Sequence, residues 1–169
     1  MRDLNLEHCR LLIVGINPGL VSEAVDAPFA RPGNRFWPAL HAAGITGTLI
    51  DARAGLIPAH RAELRRAGLG FTNIVPRATA VASELSRAEY IEGGRVLAEK
   101  VARHGPKVVM IAGIGAYRLA YRRPRATVGL QEESIGGAET WVVPNPSGLN
   151  AHETVDSLAR AYREVWERL

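Results

Sequence analysis

Apolar positions along the chain fall into two kinds of run. Leu11-Leu12-Ile13-Val14, following Arg10, is unbroken and closed by Gly15, and Lys107 to Ala112 is a similar run that ends at Gly113. Short unbroken runs of this kind are how strands buried on both faces of a parallel sheet read. Phe71 to Val75 and Thr140 to Val143 predict two more strands, with a hairpin turn at Gly136-Gly137 ahead of the last. Between these runs the apolar residues recur at helical spacing. Asn34 to Ala43 predicts one helix, and Ala59 to Ala67, set between Pro58 and Gly68, another. Ser86 to His104 opens with the capping-box pair Ser86 and Glu89 and stops at Gly105-Pro106, so it predicts one long helix running through Gly93-Gly94. Ala116 to Tyr121 and His152 to Leu169 complete the set, the last with Val155, Leu158, Ala159, Tyr162, Val165 and Trp166 along one face. Strands alternating with helices predict an α/β protein, a three-layer α/β/α sandwich around a mainly parallel sheet. The 169 residues show no internal repeat and no dividing linker, so a single domain over 1–169 is expected.

Composition narrows the classes. With 47% apolar and 22% charged residues the chain is of ordinary globular type. Its apolar runs are too short to span a bilayer, so no membrane partner is expected. The amino-terminal residues lack the charged-then-apolar order of a signal peptide, which predicts a cytoplasmic protein. One cysteine, Cys9, excludes an internal disulfide or an all-cysteine metal site and is expected in the core at the start of a strand. No carboxylates and histidines have ligand-like spacing, and His152-Glu153 lacks the second histidine of a zinc-protease helix, so neither metal nor cofactor is expected. The net charge of +4 and pI near 9.7 suit an anionic partner without identifying it. Lys100 and Lys107 are the only lysines; the arginine excess suits phosphate binding and equally a GC-rich genome.

In an open parallel sheet, ligands bind beyond the carboxyl ends of the strands. Gly15-Ile16-Asn17-Pro18-Gly19 follows the first strand. Pro18 pushes Asn17 out of helical angles and so restricts the direction of its side chain, although Asn-Pro is also ordinary turn punctuation. Pro28-Phe29-Ala30-Arg31-Pro32-Gly33-Asn34-Arg35-Phe36-Trp37 joins aromatics to arginines, as base stacking and phosphate contact require, and as a core helix also permits. Pro144-Asn145-Pro146-Ser147-Gly148-Leu149-Asn150 sets one leucine among turn formers. That leucine reads either as an apolar wedge of the type that unstacks a base step or as a side chain folded back on the core.

Together, and in this order, the three segments resemble the mismatch-specific uracil-DNA glycosylase and thymine-DNA glycosylase family, a branch of the uracil-DNA glycosylase superfamily. Phe71-Thr72-Asn73-Ile74-Val75-Pro76-Arg77 is similar to its thymine-removing side. The resemblance spans about residues 10 to 168. It implies a monomeric, cofactor-free enzyme of base-excision repair that acts on double-stranded DNA, flips a mismatched or damaged base out of the helix and hydrolyses its bond to the sugar. It further implies that Asn17 is catalytic and positions the attacking water. Gly15, Ile16, Pro18, Gly19, Ser22, Phe29, Ala30 and Asn73 would form the base pocket, with Phe29 stacked on the base, Asn73 holding the pyrimidine and Ser22 near its 5-position. Asn145, Ser147, Gly148, Leu149, Asn150 and His152 would contact DNA, with Leu149 as the wedge. The family's wedge loop carries an arginine two residues beyond the wedge, where this chain has Ala151 followed by His152.

An amide is too weak a base to deprotonate water early, so such an enzyme would rely on a largely dissociative reaction. Glu23 and Asp26 are nearby carboxylates that either assist Asn17 or simply face solvent, and Arg31, Arg35 and Arg77 are candidate phosphate contacts. Two other readings stand beside this one. Gly113-Ile114-Gly115-Ala116-Tyr117-Arg118 has the first two glycines of a dinucleotide-binding fingerprint, with Arg118 in place of the third. A DNA-binding relative without catalysis is the other.

Overall fold

The computed structural model describes residues 1–169. Strands β1 (Leu11–Gly15), β2 (Leu69–Asn73), β3 (Val108–Ala112), β4 (Gly129–Leu130) and β5 (Glu139–Val143) form one sheet in the order β2-β1-β3-β5-β4. All neighbours are parallel except β4, which runs antiparallel to β5. Helices α1 (Leu20–Val25), α2 (Phe36–Ala42), α3 (Pro58–Arg66), α4 (Arg87–His104), α5 (Ile114–Tyr121) and α6 (Val155–Trp166) cover the sheet.

The unbroken apolar runs are buried on both sides. Leu11 and Ile13 of β1, with Phe71, Met110 and Trp141, point into a core closed by Phe36, Leu40, Leu158 and Tyr162 of α2 and α6. Leu12 and Val14, with Val109, Ile111 and Val142, point the other way, against Tyr90, Leu97 and Val101 of α4 and Tyr117 of α5. Alternate side chains of one strand thus serve two cores, which is the three-layer α/β/α arrangement. Cys9 is buried just before β1, as expected.

Several boundaries differ from the sequence expectation. β2 begins at Leu69 and ends at Asn73, because beyond Asn73 the chain bends across the end of β1, with Ile74 and Val75 N–H donating to Gly15 and Ile16 carbonyls. α1 and the two-residue β4 carry no readable periodicity and were not anticipated. α6 starts at Val155 rather than His152, where Thr154 caps it by accepting from Ser157 N–H. The turn at Gly136-Gly137 is present, closed by Ala138 N–H donating to Ile135 O at 2.9 Å.

Gly93-Gly94 sits inside α4 for a packing reason. A Cβ on Gly93 would lie 2.2 Å from the carbonyl oxygen of Ile74, and one on Gly94 2.8 Å from that of Ala120. The helix therefore rests directly on the segment leaving β2. Gly93→Ala is expected to lower stability by about 1–3 kcal/mol through overpacking, despite the better helix propensity of alanine. The midpoint of urea unfolding measures this, and an unchanged or raised midpoint would show that the backbone can give way.

Candidate active site

The sheet order reverses between β1 and β3, since β2 lies on one side of β1 and β3 on the other, which opens a crevice where β1 ends. A cavity of about 430 Å³ occupies this place, lined by the residues after β1, the end of β2, the segment 28–34, the segment 79–82 and the loop after β5. Of the residues singled out from sequence, Gly15, Ile16, Asn17, Pro18, Gly19, Ser22, Phe29, Asn73, Asn145, Ser147, Leu149 and Asn150 all line it.

Asn17 is held in one orientation. Its Nδ2 donates to Arg77 O at 2.8 Å and to Thr79 Oγ1 at 2.8 Å. Arg77 O can only accept, and the Thr79 hydroxyl already spends its proton on Val81 O at 2.8 Å, so both groups demand the nitrogen and not the oxygen of the amide. Oδ1 of Asn17 is left without a partner in the chain, free to accept from a ligand or water. The backbone agrees, because Thr79 N–H donates to Pro18 O at 3.1 Å and pairs its segment with the β1 exit. Thr79, buried and 62 residues from Asn17, was missed in the sequence, where nothing local links the two.

Phe29 stacks on the fully buried Phe36 with ring centroids 4.1 Å apart and planes 21° from parallel. Its φ of +53° is a left-handed conformation that a bulky side chain adopts at a cost of order 1–3 kcal/mol. Asn73 Oδ1 lies over Gly15, 2.5 Å from where a Cβ would stand there, so the glycine is what lets the Asn73 side chain reach the cavity. Ser22 is buried, and its hydroxyl accepts from Ala30 N–H at 3.0 Å.

The remaining sequence candidates, Arg31 apart, lie outside the lining of this cavity or are engaged within the chain. Ala30 is buried and does not line the cavity; its contact with the site is the N–H it donates to Ser22 Oγ. Gly148 packs against the backbone of Gly33 rather than facing the cavity. His152 lines a neighbouring groove together with Asn145 and Asn150. Glu23 pairs with the Met1 amino group and Asp26 Oδ2 accepts from Nη2 and Nε of Arg2 at 2.8 and 2.9 Å, and neither carboxylate reaches the cavity. Arg77 is committed to Glu89, at 2.6 Å, and to Glu84 O at 3.0 Å. Arg35 donates to the carbonyls of Ser147 and Asn150 at 3.1 and 3.0 Å. Of the three arginines only Arg31 is exposed and unengaged, and it is the only charged side chain lining the cavity. No group of histidine, cysteine and carboxylate side chains is placed to hold a metal. Gly113 begins α5 with its would-be Cβ 3.3 Å from Ile16, a tight turn packed on the β1 exit.

A family model for the uracil DNA glycosylase superfamily matches residues 1–169. The chain belongs to the uracil DNA glycosylase superfamily. Its fold is similar to the solution NMR structure of a candidate uracil DNA glycosylase from Methanosarcina acetivorans, at 19% identity and a TM-score of 0.55, over 95% of this chain and 92% of that one.

The loop holding Asn17 is tied down through Arg77, whose guanidinium first, and the Ser86 N–H second, hold the Glu89 carboxyl at about 2 against an ordinary 4.5. Because the folded value is depressed, this tie is complete above about pH 4.5 and is lost as pH falls toward about 2. The exposed pair adds little stability. Its visible effect is local. The Asn17 side-chain NH₂ resonances are expected to stay fixed from about pH 7 to about 3 and to move only as pH falls toward about 2, with the Glu89 titration in the folded protein. Movement that tracks a group titrating above pH 5 would uncouple Asn17 from Arg77.

Proposed function

We propose that the protein is a monofunctional DNA glycosylase of the mismatch-specific branch, hydrolysing the bond between uracil and deoxyribose in guanine-uracil pairs and leaving an abasic site. The observation that carries this reading is the unpartnered Oδ1 of Asn17 in a cavity whose lining has no carboxylate side chain, beside a stacked aromatic and below an exposed leucine.

With no carboxylate at hand, water is not deprotonated early. The C1′–N1 bond breaks first, its electron pair leaves on the uracil, and the sugar acquires oxocarbenium character. Asn17 Oδ1 accepts from the water that then adds to C1′, and the water's proton passes to solvent. In this reading Phe29 takes the extruded base on the ring face opposite Phe36, and the strained backbone of Phe29 holds that ring in place before substrate arrives. Asn73 hydrogen-bonds the pyrimidine edge. The Ser22 side chain lies near the 5-position, where thymine carries its methyl group. Arg31 supplies a phosphate contact at the mouth, and Leu149 enters the space the base vacates.

Mismatched uracil is cheaper to extrude than paired uracil, because base flipping costs a few kcal/mol of pairing and stacking that a wobble pair has partly lost already. Excision from guanine-uracil duplex is therefore expected to exceed that from adenine-uracil duplex. The test is a single-turnover assay on labelled duplexes carrying uracil or thymine, with alkali revealing abasic sites. Absence of any abasic product would refute the glycosylase, whereas equal rates on the two uracil pairs would refute only the mismatch preference.

Asn17→Ala is expected to slow excision by about two to three powers of ten, as loss of one such polar group at a reacting centre commonly does. Duplex affinity should remain near wild type. An excision rate within threefold of wild type would remove Asn17 from the chemistry. Activity should also persist in excess EDTA, since no residue cluster is placed to hold a metal; loss restored only by a divalent metal would contradict this mechanism.

A further inference from the structure

Leu149 is 71% exposed, the most exposed large apolar side chain in the molecule, yet the turn that carries it is held by hydrogen bonds. It stands at the tip of a turn in which Asn150 N–H donates to Ser147 O at 3.0 Å. Within that turn Leu149 N–H donates to Ser147 Oγ at 3.2 Å, and Ser147 N–H to Asn145 Oδ1 at 2.9 Å. Asn150 Nδ2 closes the base of the loop on Asn145 O at 3.1 Å. These are local bonds that the loop makes with itself.

The bonds that fix the loop to the rest of the protein come from Arg35. Its backbone N–H donates to Pro146 O at 2.9 Å, and its Nη1 donates to both Ser147 O and Asn150 O, the two ends of the turn that carries Leu149. The next residue in sequence, Phe36, is the ring on which Phe29 stacks. On the same side, the backbone of Gly33 lies so near that a Cβ on Gly148 would stand 2.7 Å from its carbonyl oxygen. The segment 33–36 is thus joined to the base-stacking aromatics at one end and clamps the leucine turn with the other.

We propose that Arg35 is a positioning residue that holds the Leu149 turn in a DNA-ready shape, and is not a phosphate contact. The proposal rests on the reading of Leu149 as the wedge. A leucine on a loose loop would have to be ordered each time it entered the duplex, and conformational ordering opposes insertion. The guanidinium removes that cost by fixing both ends of the turn while the side chain is still in water. Because the brace acts on the wedge, it matters only where a base must be kept from returning to its stack.

The test compares single-turnover excision of uracil from guanine-uracil duplex and from single strands for Arg35→Met, Leu149→Ala and their combination. A charge-assisted hydrogen bond lost at the turn is expected to cost Arg35→Met about tenfold on duplex. Single-strand excision, which needs little unstacking, should stay within about twofold. In the Leu149→Ala background the same substitution should cost less than about twofold, since nothing remains to be positioned. Gly148→Ala, which pushes the turn off Gly33 without touching Arg35, should give the same duplex-selective loss. The slope of log affinity against log salt should be unchanged in Arg35→Met, whereas a lost phosphate contact would reduce it by about 0.9.

Equal losses on duplex and single strands, full additivity with Leu149→Ala, or a reduced salt slope would each overturn the brace. If Leu149→Ala itself shows no preference for duplex, the wedge reading fails and the brace fails with it. If Leu149→Ala is duplex-selective and Arg35→Met is not, only the brace fails.

Discussion

The side-chain amide of Asn17 faces two atoms that can only receive a hydrogen: a backbone carbonyl, and a hydroxyl whose own proton is already engaged. This fixes the amide in one sense and leaves its oxygen as the free end. The rest of the crevice depends on that constraint. To provide it, the chain must bring residues 77–81 across the end of β1, which requires β2 to end at Asn73 and the following segment to bend over Gly15 and Ile16. The bend in turn brings the Ile74 carbonyl onto α4, where only a residue without a Cβ fits. One side-chain orientation therefore draws on β1, β2, α4 and the loop between them.

The arginines show how misleading charge alone is as a guide to contacts. Arg35 and Arg77 lie beside chemistry-bearing segments in the sequence and look available for phosphate, yet both are engaged by the chain itself, one on turn carbonyls and one on a surface carboxylate. A guanidinium offers five donors in a planar fork, and it satisfies inward-facing carbonyls as well as it satisfies phosphate. The mouth of the cavity keeps a single uncommitted cation in Arg31. The two carboxylates near the β1 exit are drawn away to the amino-terminal segment. The cavity is left with amides and hydroxyls as its main polar side chains, an environment suited to a neutral heterocycle.

The sheet and the main helices were legible in the sequence because burial on two faces writes an unbroken apolar run and helix ends write caps, as Ser86 with Glu89 and Gly105 do. α1 and β4 were not legible. Six residues and two residues are too few to show a period, and both are held by what they pack on. At the site, Asn17, Phe29 and Leu149 stood in segments whose composition marked them as unusual. Thr79 did not, since its importance lies in a contact across 62 residues of chain, and a lone threonine among small residues carries no sign of it. Ala30 and His152 were assigned to the base pocket and the DNA contact by the family resemblance. One turns into the core and the other into the neighbouring groove, because a side chain's direction alternates faster along a loop than sequence proximity can track.

The outer margin of β2 bears on how these molecules behave toward one another. Leu4 exchanges both backbone hydrogen bonds with Phe71, at 3.0 and 2.8 Å, and Asp3 is tied beside it to Thr72 and Lys100. The opposite margin, β4, is two residues long. An open strand offers a row of unmet donors and acceptors to any extended chain that drifts by, which is the usual start of sheet-to-sheet aggregation. Here one margin is already occupied by the protein's own leading residues and the other is too short to template anything. A protein built this way can stay crowded around its substrate without its sheets fusing end to end.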